Sequence, residues 1–234
     1  MGMVNGNRVP TGIVELDAHI EGGLRAGKTY LVVGEPGTGK SIFGLQFLVN
    51  GLMEKEKGLY VAIDEKPADV LEQAASLGWD LAPFIESKEF VILDASAYFS
   101  GSSETQKKID VQRVVNDLNA YIVRMGATRL VIDPVGPLLF NREATSRAPD
   151  QARTLFYGLQ ANGNTTNLLT TYSVERNVHG LEEYLVAGTI VLEMALAKNR
   201  FVRTLTIEKM RSTALEPAQY FFKIVADRGI VLED

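Results

Sequence analysis

The 234-residue sequence contains no cysteine. Disulfides, thiolate metal sites and cysteine nucleophiles are therefore excluded. Histidine is scarce as well, since only His19 and His179 occur. That removes histidine-rich zinc sites, and nothing in the sequence sets either histidine beside a nucleophile as a triad would need. No apolar run reaches the roughly 18 residues of a membrane span. The short, polar, glycine-rich stretch from Met1 to Asn7 lacks the features of a signal peptide. These absences point to a cytoplasmic location. Positive charge is not in excess: 24 Lys and Arg face 29 Asp and Glu, a net charge of −5. An acidic balance argues against a surface built to hold nucleic acid. What remains is 46% hydrophobic and 23% charged, enough for a sizeable core, and the length suits one large α/β domain. No repeat, low-complexity tract or linker divides it.

Short apolar runs alternate with helical patterns. Strands are expected at Thr29–Val33, Gly58–Ile63, Phe90–Leu93, Leu130–Ile132, Asn167–Thr171 and Thr189–Leu192. Helices are expected at Ile42–Lys55, Ala68–Leu77, Gln106–Met125 and Asp150–Ala161. In the third of these, Val111, Val114, Val115, Leu118, Ile122 and Met125 repeat with a period near 3.6 residues. Pro67 and Pro149 precede their helices, and Gly78 and Gly163 follow them. Nearly continuous apolar strands separated by helices predict a mostly parallel sheet covered on both faces. From about Val202 the helices stop. Val202–Lys209, Gln219–Val225 and Gly229–Leu232 read as an antiparallel closing segment.

Between the first strand and the first helix stand Gly34, Glu35, Pro36, Gly37, Thr38, Gly39, Lys40 and Ser41. This is a complete G-x-x-x-x-G-K-[ST] loop in its required strand–loop–helix setting. The glycines let backbone N–H groups turn inward as an anion nest, and the following helix aims its positive end at the same point. In such a loop Lys40 reaches β- and γ-phosphates and the Ser41 hydroxyl coordinates Mg²⁺. The sequence therefore specifies a site for a nucleoside triphosphate.

A nucleotide-bound Mg²⁺ needs a carboxylate at the end of a neighbouring strand, and Leu130-Val131-Ile132-Asp133 supplies one in Asp133. Hydrolysis further needs a group to orient and deprotonate water. Asp64 and Glu65 end the strand after the loop's helix, and paired like charges raise at least one pKa, which suits a base. Which of the two is the base stays open: Glu65 stands in the usual water-activating position, and Asp64 is shorter and suits the metal side. Thr170 and Thr171 close another strand, where their hydroxyls could sense the γ-phosphate.

In this order the residues resemble the KaiC-like group of RecA-superfamily ATPases, over nearly the whole chain. The matching phrases are Pro10-Thr11-Gly12-Ile13 through Leu16-Asp17 with Gly22-Gly23-Leu24, then Ser76-Leu77-Gly78-Trp79-Asp80-Leu81 and Asp94-Ala95-Ser96. Leu181-Glu182-Glu183-Tyr184, Arg203-Thr204-Leu205 and Lys209-Met210-Arg211 follow. The resemblance implies a RecA-like fold, ATP with Mg²⁺, and a hexameric ring with ATP at the subunit boundaries. It implies that Lys209 and Arg211 reach the phosphates of the adjacent subunit. It also sets Thr213, Leu215 and Asp227 near ribose and base, with Ser76 on the side of the chain's own loop. From the residues alone, Lys198, Arg200, Arg203, Lys209 and Arg211 form only a basic stretch on a strand pair.

The chain also departs from that family. The clock protein carries two such domains in tandem, whereas one is seen here. Its phosphorylated Ser–Thr pair has no clear counterpart, Thr145-Ser146 matching neither order nor context. Tyr172 stands where Glu usually follows the paired threonines, and Ser212 replaces a usual Gly. Three readings remain: a ring-forming ATPase that acts as switch or motor for a protein partner, a recombinase-like DNA-binding ATPase, and a non-hydrolysing ATP sensor. The second would place DNA-contacting loops near Asn141–Asp150 and Ser173–Leu181, which mix Arg142, Arg147 and Arg176 with Glu143, Asp150 and Glu175. No aromatic–basic interleaving for base stacking accompanies them. The acidic balance and this mixed charge weigh against the second, and the first is favoured over the third.

Overall fold

A computed structural model describes residues 7–96, 109–139, 148–161, 163–172, 184–215 and 218–233. Its elements in chain order begin with β1 (Arg8–Val9), α1 (Val14–His19), β2 (Leu24–Arg25), β3 (Thr29–Gly34), α2 (Lys40–Met53) and β4 (Gly58–Ala62). There follow α3 (Pro67–Ser76), α4 (Ala82–Glu86), β5 (Phe90–Asp94), α5 (Val111–Met125), β6 (Arg129–Asp133) and α6 (Gly136–Leu139). The last are α7 (Ala148–Gln160), β7 (Thr166–Thr171), β8 (Gly188–Ala197), β9 (Arg200–Met210), β10 (Gln219–Val225) and β11 (Gly229–Glu233).

Nine of the described strands form one sheet in the order β11-β10-β9-β8-β3-β7-β6-β4-β5. From β5 to β8 neighbouring strands run parallel, and from β8 to β11 they run antiparallel. β3, β4 and β6 are buried along their full length, as parallel strands covered on both faces must be. The RecA-like α/β architecture with an antiparallel C-terminal segment is therefore as expected. One core, on the α2 side, gathers Phe43, Phe47, Leu48, Tyr60, Trp79 and Phe222. The opposite core packs α5 and α7 on the sheet through Val114, Leu118, Ile122, Phe156 and Leu159.

Three of the boundaries that differ from expectation have a clear local cause. The helix expected from Gln106 begins at Val111, because the Asp110 side chain accepts the Arg113 backbone N–H at 3.1 Å and caps it there. Residues 106–108 lie outside those described. α7 starts at Ala148, so Pro149 stands within its first turn, where the missing N–H costs nothing. The strand expected at Thr189–Leu192 runs on to Ala197 and returns as β9 through Lys198 and Asn199, both left-handed (φ 46° and 64°). Two left-handed residues are what a two-residue hairpin turn requires. α1, α4, α6, β1 and β2 are short elements in which no period repeats.

Two buried polar side chains tie α2 to the sheet. Gln46 donates to the carbonyls of Gly12, Arg228 and Ile230 and accepts the Ile230 N–H at 2.7 Å, anchoring β11. Arg129, fully buried at the start of β6, pairs with Glu56 and donates to the carbonyls of Pro10 and Phe47. The Pro10–Asp17 phrase has a structural reason too. The Asp17 carboxylate accepts from the backbone N–H groups of Thr11 and Gly12 and from the Thr11 hydroxyl, folding the N-terminal segment on itself.

Candidate active site

The strands β3, β7, β6 and β4 are adjacent and parallel, so their C-terminal ends share one edge. That edge of an open parallel sheet is where ligands bind. It carries the Gly34–Ser41 loop after β3, Thr170 to Tyr172 at the end of β7, Asp133 at the end of β6, and Asp64-Glu65 after β4. Ala62 stands opposite Asp133, and the Ile63 N–H donates to the Asp133 carbonyl at 3.0 Å. Residues separated by up to 138 positions in sequence are thereby brought together.

The loop is shaped for an anion. Gly37 and Gly39 adopt φ of 83° and 111°, which a side chain would strain. Gly39 caps α2 without any side-chain hydrogen bond, and the first turn of α2 carries no acidic residue. The N–H groups of that turn have no partner within the helix. The Lys40 ammonium is 8% exposed and donates to the carbonyls of Gly34 (2.8 Å) and Glu35 (3.0 Å). The Tyr172 ring lies 5.1 Å from it. Burial lowers the Lys40 pKa, against the pull of Asp133 and Glu35. A buried cation held by two backbone carbonyls and a ring, beside the N-terminus of α2, fits a polyphosphate.

Asp133 is nearly buried and hydrogen-bonded at both oxygens, by the Tyr60 hydroxyl at Oδ2 and the Thr170 hydroxyl at Oδ1. Its peptide to Pro134 is cis. The donor set of Ser41 hydroxyl and one carboxylate suits Mg²⁺, which takes one or two carboxylates and completes its shell with phosphate oxygens and water. Among the described residues no cluster of three or more His, Asp or Glu forms an all-protein metal cage. Glu65 has a raised pKa, first through burial and then through the charges of Asp133, Asp69 and Asp64. Asp64 accepts a hydrogen bond from the Tyr172 hydroxyl at 3.3 Å.

The remaining expected residues divide. Ser76 ends α3, and the Asp227 N–H donates to the Leu77 carbonyl beside it, so these two share a surface. Lys209, Arg211, Thr213 and Leu215 lie elsewhere. Met210 pairs with Gly188 and Gly188 with Tyr30, at the start of β3, whereas Gly34 pairs with Leu192. Four residues of strand, about 13 Å at the usual rise, separate the two levels. Lys209 donates to the Val186 carbonyl (2.8 Å), Arg211 to that of Tyr184 (2.9 Å), and the Thr213 hydroxyl accepts from Arg8 (2.9 Å). Leu215 packs on the α2-side core. These four stand at the edge opposite the phosphate loop of their own chain.

Sequence reasoning missed three contacts at the site. Tyr60 looks like one more apolar strand residue, yet its hydroxyl reaches Asp133. The Thr170 hydroxyl, expected to face phosphate, is committed to Asp133 instead. Arg203, grouped with a basic hairpin, donates to the Gly37 carbonyl at 3.4 Å and keeps a buried, unpartnered Nε. The alternation of β4 could have flagged Tyr60; nothing local flags the other two. Of the DNA-contacting loops considered at Asn141–Asp150 and Ser173–Leu181, only residues 148–150, in the first turn of α7, are described; the rest lies outside the described residues, as do Thr145-Ser146 and residues 181–183.

The family model "ATPase: KaiC" matches residues 9–234. The chain belongs to the KaiC ATPase family. The phosphate loop is thus that of an ATP-binding domain. A UPF0273 protein of Pyrococcus horikoshii is 35% identical over 233 residues, covering 96% of this chain and 93% of the relative. The circadian clock oscillator protein KaiC of Synechococcus elongatus is 34% identical over 228 residues, covering 95% of this chain but 43% of that protein. The chain therefore spans less than half the length of that KaiC and nearly all of the UPF0273 protein. In three dimensions it matches the crystal structure of a KaiC-like protein from the hyperthermophilic archaeon P. horikoshii with a TM-score of 0.84, at 30% identity and over 97% and 99% of the two chains. No described helix is long and apolar enough to cross a membrane.

Proposed function

We propose that this KaiC-family chain is a Mg²⁺-dependent, slowly turning ATPase, a single cytoplasmic domain that assembles as a hexameric ring and acts as a nucleotide switch or motor on a protein partner. One observation carries the reading: the phosphate loop and its carboxylates occupy one edge of the sheet, and Lys209 and Arg211 the other. An active site that uses both sets is completed only by a second copy, and repeated head-to-tail contacts of that kind close into rings.

Lys40 exchanges the Gly34 and Glu35 carbonyls for β- and γ-phosphate oxygens. Ser41 and Asp133 would hold Mg²⁺, which would supply positive charge to offset that of the phosphates. Glu65, its pKa raised by burial and by the neighbouring carboxylates, orients a water in line with the γ-phosphorus and accepts its proton as the bond to the β-bridging oxygen breaks. Asp64 assists in holding that water. Lys209 and Arg211 of the neighbouring copy offset the charge that develops on the transferred group. Ser76 and Asp227 on one copy, with Thr213 and Leu215 on the next, border ribose and base. Tyr172 supports slow turnover, since its ring lies on Lys40 and its hydroxyl holds Asp64, where the family carries a Glu.

The test is steady-state phosphate release at two protein concentrations, beside Lys40→Ala. Specific activity that rises with concentration and vanishes in the variant is expected. Arg211→Ala alone is expected to lose turnover, and mixing it with Lys40→Ala to restore part of it, because some interfaces then pair an intact loop with an intact finger. Absence of rescue would refute completion in trans. ATP binding without turnover would favour the second reading that Tyr172 suggests, an ATP-holding sensor. Turnover that requires DNA and falls steeply with salt would favour a recombinase.

A further inference from the structure

Arg8 stands in β1, opposite Arg25 of β2, with its side chain mostly buried. The strand lies so close to the turn before β2 that a Cβ on Gly23 would meet the Val9 carbonyl oxygen at 2.4 Å. Glycine permits that approach, at a φ of 128° that a side chain would strain. The guanidinium then reaches residues 205 positions further along the chain. Nη1 donates to the Thr213 hydroxyl at 2.9 Å and to the Gly23 carbonyl at 3.2 Å. Nη2 donates to the Ser212 carbonyl at 3.2 Å and pairs with Glu21. The second Glu21 oxygen, Oε1, accepts the Ala214 N–H at 3.2 Å. Arg8 and Glu21 together thus grip the turn from Ser212 to Ala214.

That turn follows directly on Lys209 and Arg211. The pairing of β9 with β8 ends at Met210 opposite Gly188, and the Arg211 N–H adds a bond to the Ala187 carbonyl at 2.8 Å. Beyond it the chain passes through Ser212 in a left-handed conformation (φ 56°), which a residue with a Cβ resists. The clamp offsets that cost and fixes the direction in which the chain leaves the two basic residues. As a source of stability the ion pair counts for little, because Glu21 is half-exposed and such pairs are screened by solvent. A planar guanidinium is better suited to holding several acceptors at once in a set geometry.

We infer that Arg8, with Glu21, is a positioning residue of the trans-acting edge: it holds the Ser212–Ala214 turn so that Lys209, Arg211 and Thr213 of one copy meet the nucleotide of the next. This role rests on the ring reading above and deepens it. The N-terminal strand of each chain then serves its neighbour's site rather than its own. The opposite assignment is concrete too, because the same segment touches the helix of its own phosphate loop, where Gln46 donates to the Gly12 carbonyl at 2.8 Å.

Steady-state phosphate release from mixed variants separates the two, with chains combined in equal amounts before ATP is added. Arg8→Met alone is expected to lose about 10- to 100-fold in turnover, the scale on which small misplacements act. Mixed with Lys40→Ala it should recover toward about a quarter of wild-type activity, because random head-to-tail pairing joins an intact loop to an intact edge at about one interface in four. Mixed with Arg211→Ala it should not recover, since both variants damage the same edge. Recovery with Arg211→Ala would overturn the assignment by placing Arg8 with its own chain's loop. Recovery in neither mixture would make the clamp a general structural contact and overturn it as well, as would turnover of Arg8→Met within about twofold of wild type. If Arg211→Ala and Lys40→Ala fail to restore each other, or the wild type does not turn over, the reading of a site completed in trans fails first, and the role of Arg8 with it. Should Arg8→Met not fold, Glu21→Ala at its half-exposed position loosens the same turn and is expected to behave alike in both mixtures.

Discussion

Replacing Lys40 by Met separates the two roles a buried cation can have. Without ligand, the ammonium gives two hydrogen bonds to the Gly34 and Glu35 carbonyls and one ring contact to Tyr172. At roughly 1 kcal/mol per hydrogen bond and about 0.5–1 kcal/mol for the ring contact, the variant forfeits some 2–3 kcal/mol. Against this stands the desolvation of a nearly buried ammonium, worth several kcal/mol in proteins. Its lowered pKa has burial as the first cause. At neutral pH the charged form is therefore disfavoured by folding, a cost that fades only as pH rises through the pKa range of lysine. The two terms roughly cancel, and the ligand-free melting temperature is expected to stay within about 4 °C of wild type, at 2–4 °C per kcal/mol for a chain this size. ATP binding is a different matter. Two charge-assisted bonds to phosphate at about 1.5–3 kcal/mol each amount to ~10²–10⁴ in affinity. At a hundred times its Kd, ATP adds about 2.7 kcal/mol to the wild type, raising its melting temperature by roughly 5–11 °C. The same ATP concentration should raise that of the variant by less than about 2 °C. Thermal denaturation with and without ATP and Mg²⁺ reads both quantities. A ligand-free variant that melts more than about 10 °C lower would make Lys40 a structural cation and refute the reasoning, as would an undiminished shift with ATP.

Further outcomes are expected elsewhere. Glu65→Gln should lower turnover at least ~10²-fold with ATP affinity held within about twofold, as general-base loss does; unchanged turnover would pass the role to Asp64. In the wild type the acidic limb of the pH–rate profile should lie above the ordinary glutamate range, because burial and the neighbouring carboxylates hold the Glu65 proton, and a limb near pH 4 would contradict this. Arg129→Met should cost about 3–5 kcal/mol, the usual result of leaving a buried ion-pair partner and carbonyls unmet, seen as a melting temperature lower by roughly 6–20 °C. Burial acts to raise the Glu56 pKa, but the hydrogen bonds and charge of Arg129, with Thr128, outweigh it and the net shift is downward. A carboxylate with a depressed folded pKa stabilises above its unfolded value and loses that contribution as pH falls through the folded one. Wild-type stability should therefore decline below about pH 4.5 more steeply than that of Arg129→Met, as urea titrations across pH would reveal.

Much of this protein is legible without coordinates, and the reason is locality. The phosphate loop depends on glycines, a lysine and a serine within one turn of chain, flanked by a strand and a helix that neighbouring residues specify. The α5 stripe from Val111 to Ile122 lies on the buried face its period demands, and the apolar runs of β3, β4 and β6 become interior strands. Asp133 and Asp64-Glu65 could be named because a strand end is also a local feature. Boundaries were less secure where a single side chain decides them, as at Asp110, or where a turn conformation does, as at Lys198-Asn199. What only the tertiary structure decided depends on strand order. β7 inserts between β3 and β6, so the Thr170 hydroxyl meets Asp133; β4 lies on the other side of β6, so Tyr60 meets it too. Neither contact follows from spacing along the chain, because each joins residues 37 or 73 positions apart. The same order carries the end of β9 to the edge opposite the phosphate loop. Two basic residues in a hairpin thus lie beyond reach of the nucleotide of their own chain, a fact set by the antiparallel return of β9 and invisible in its composition.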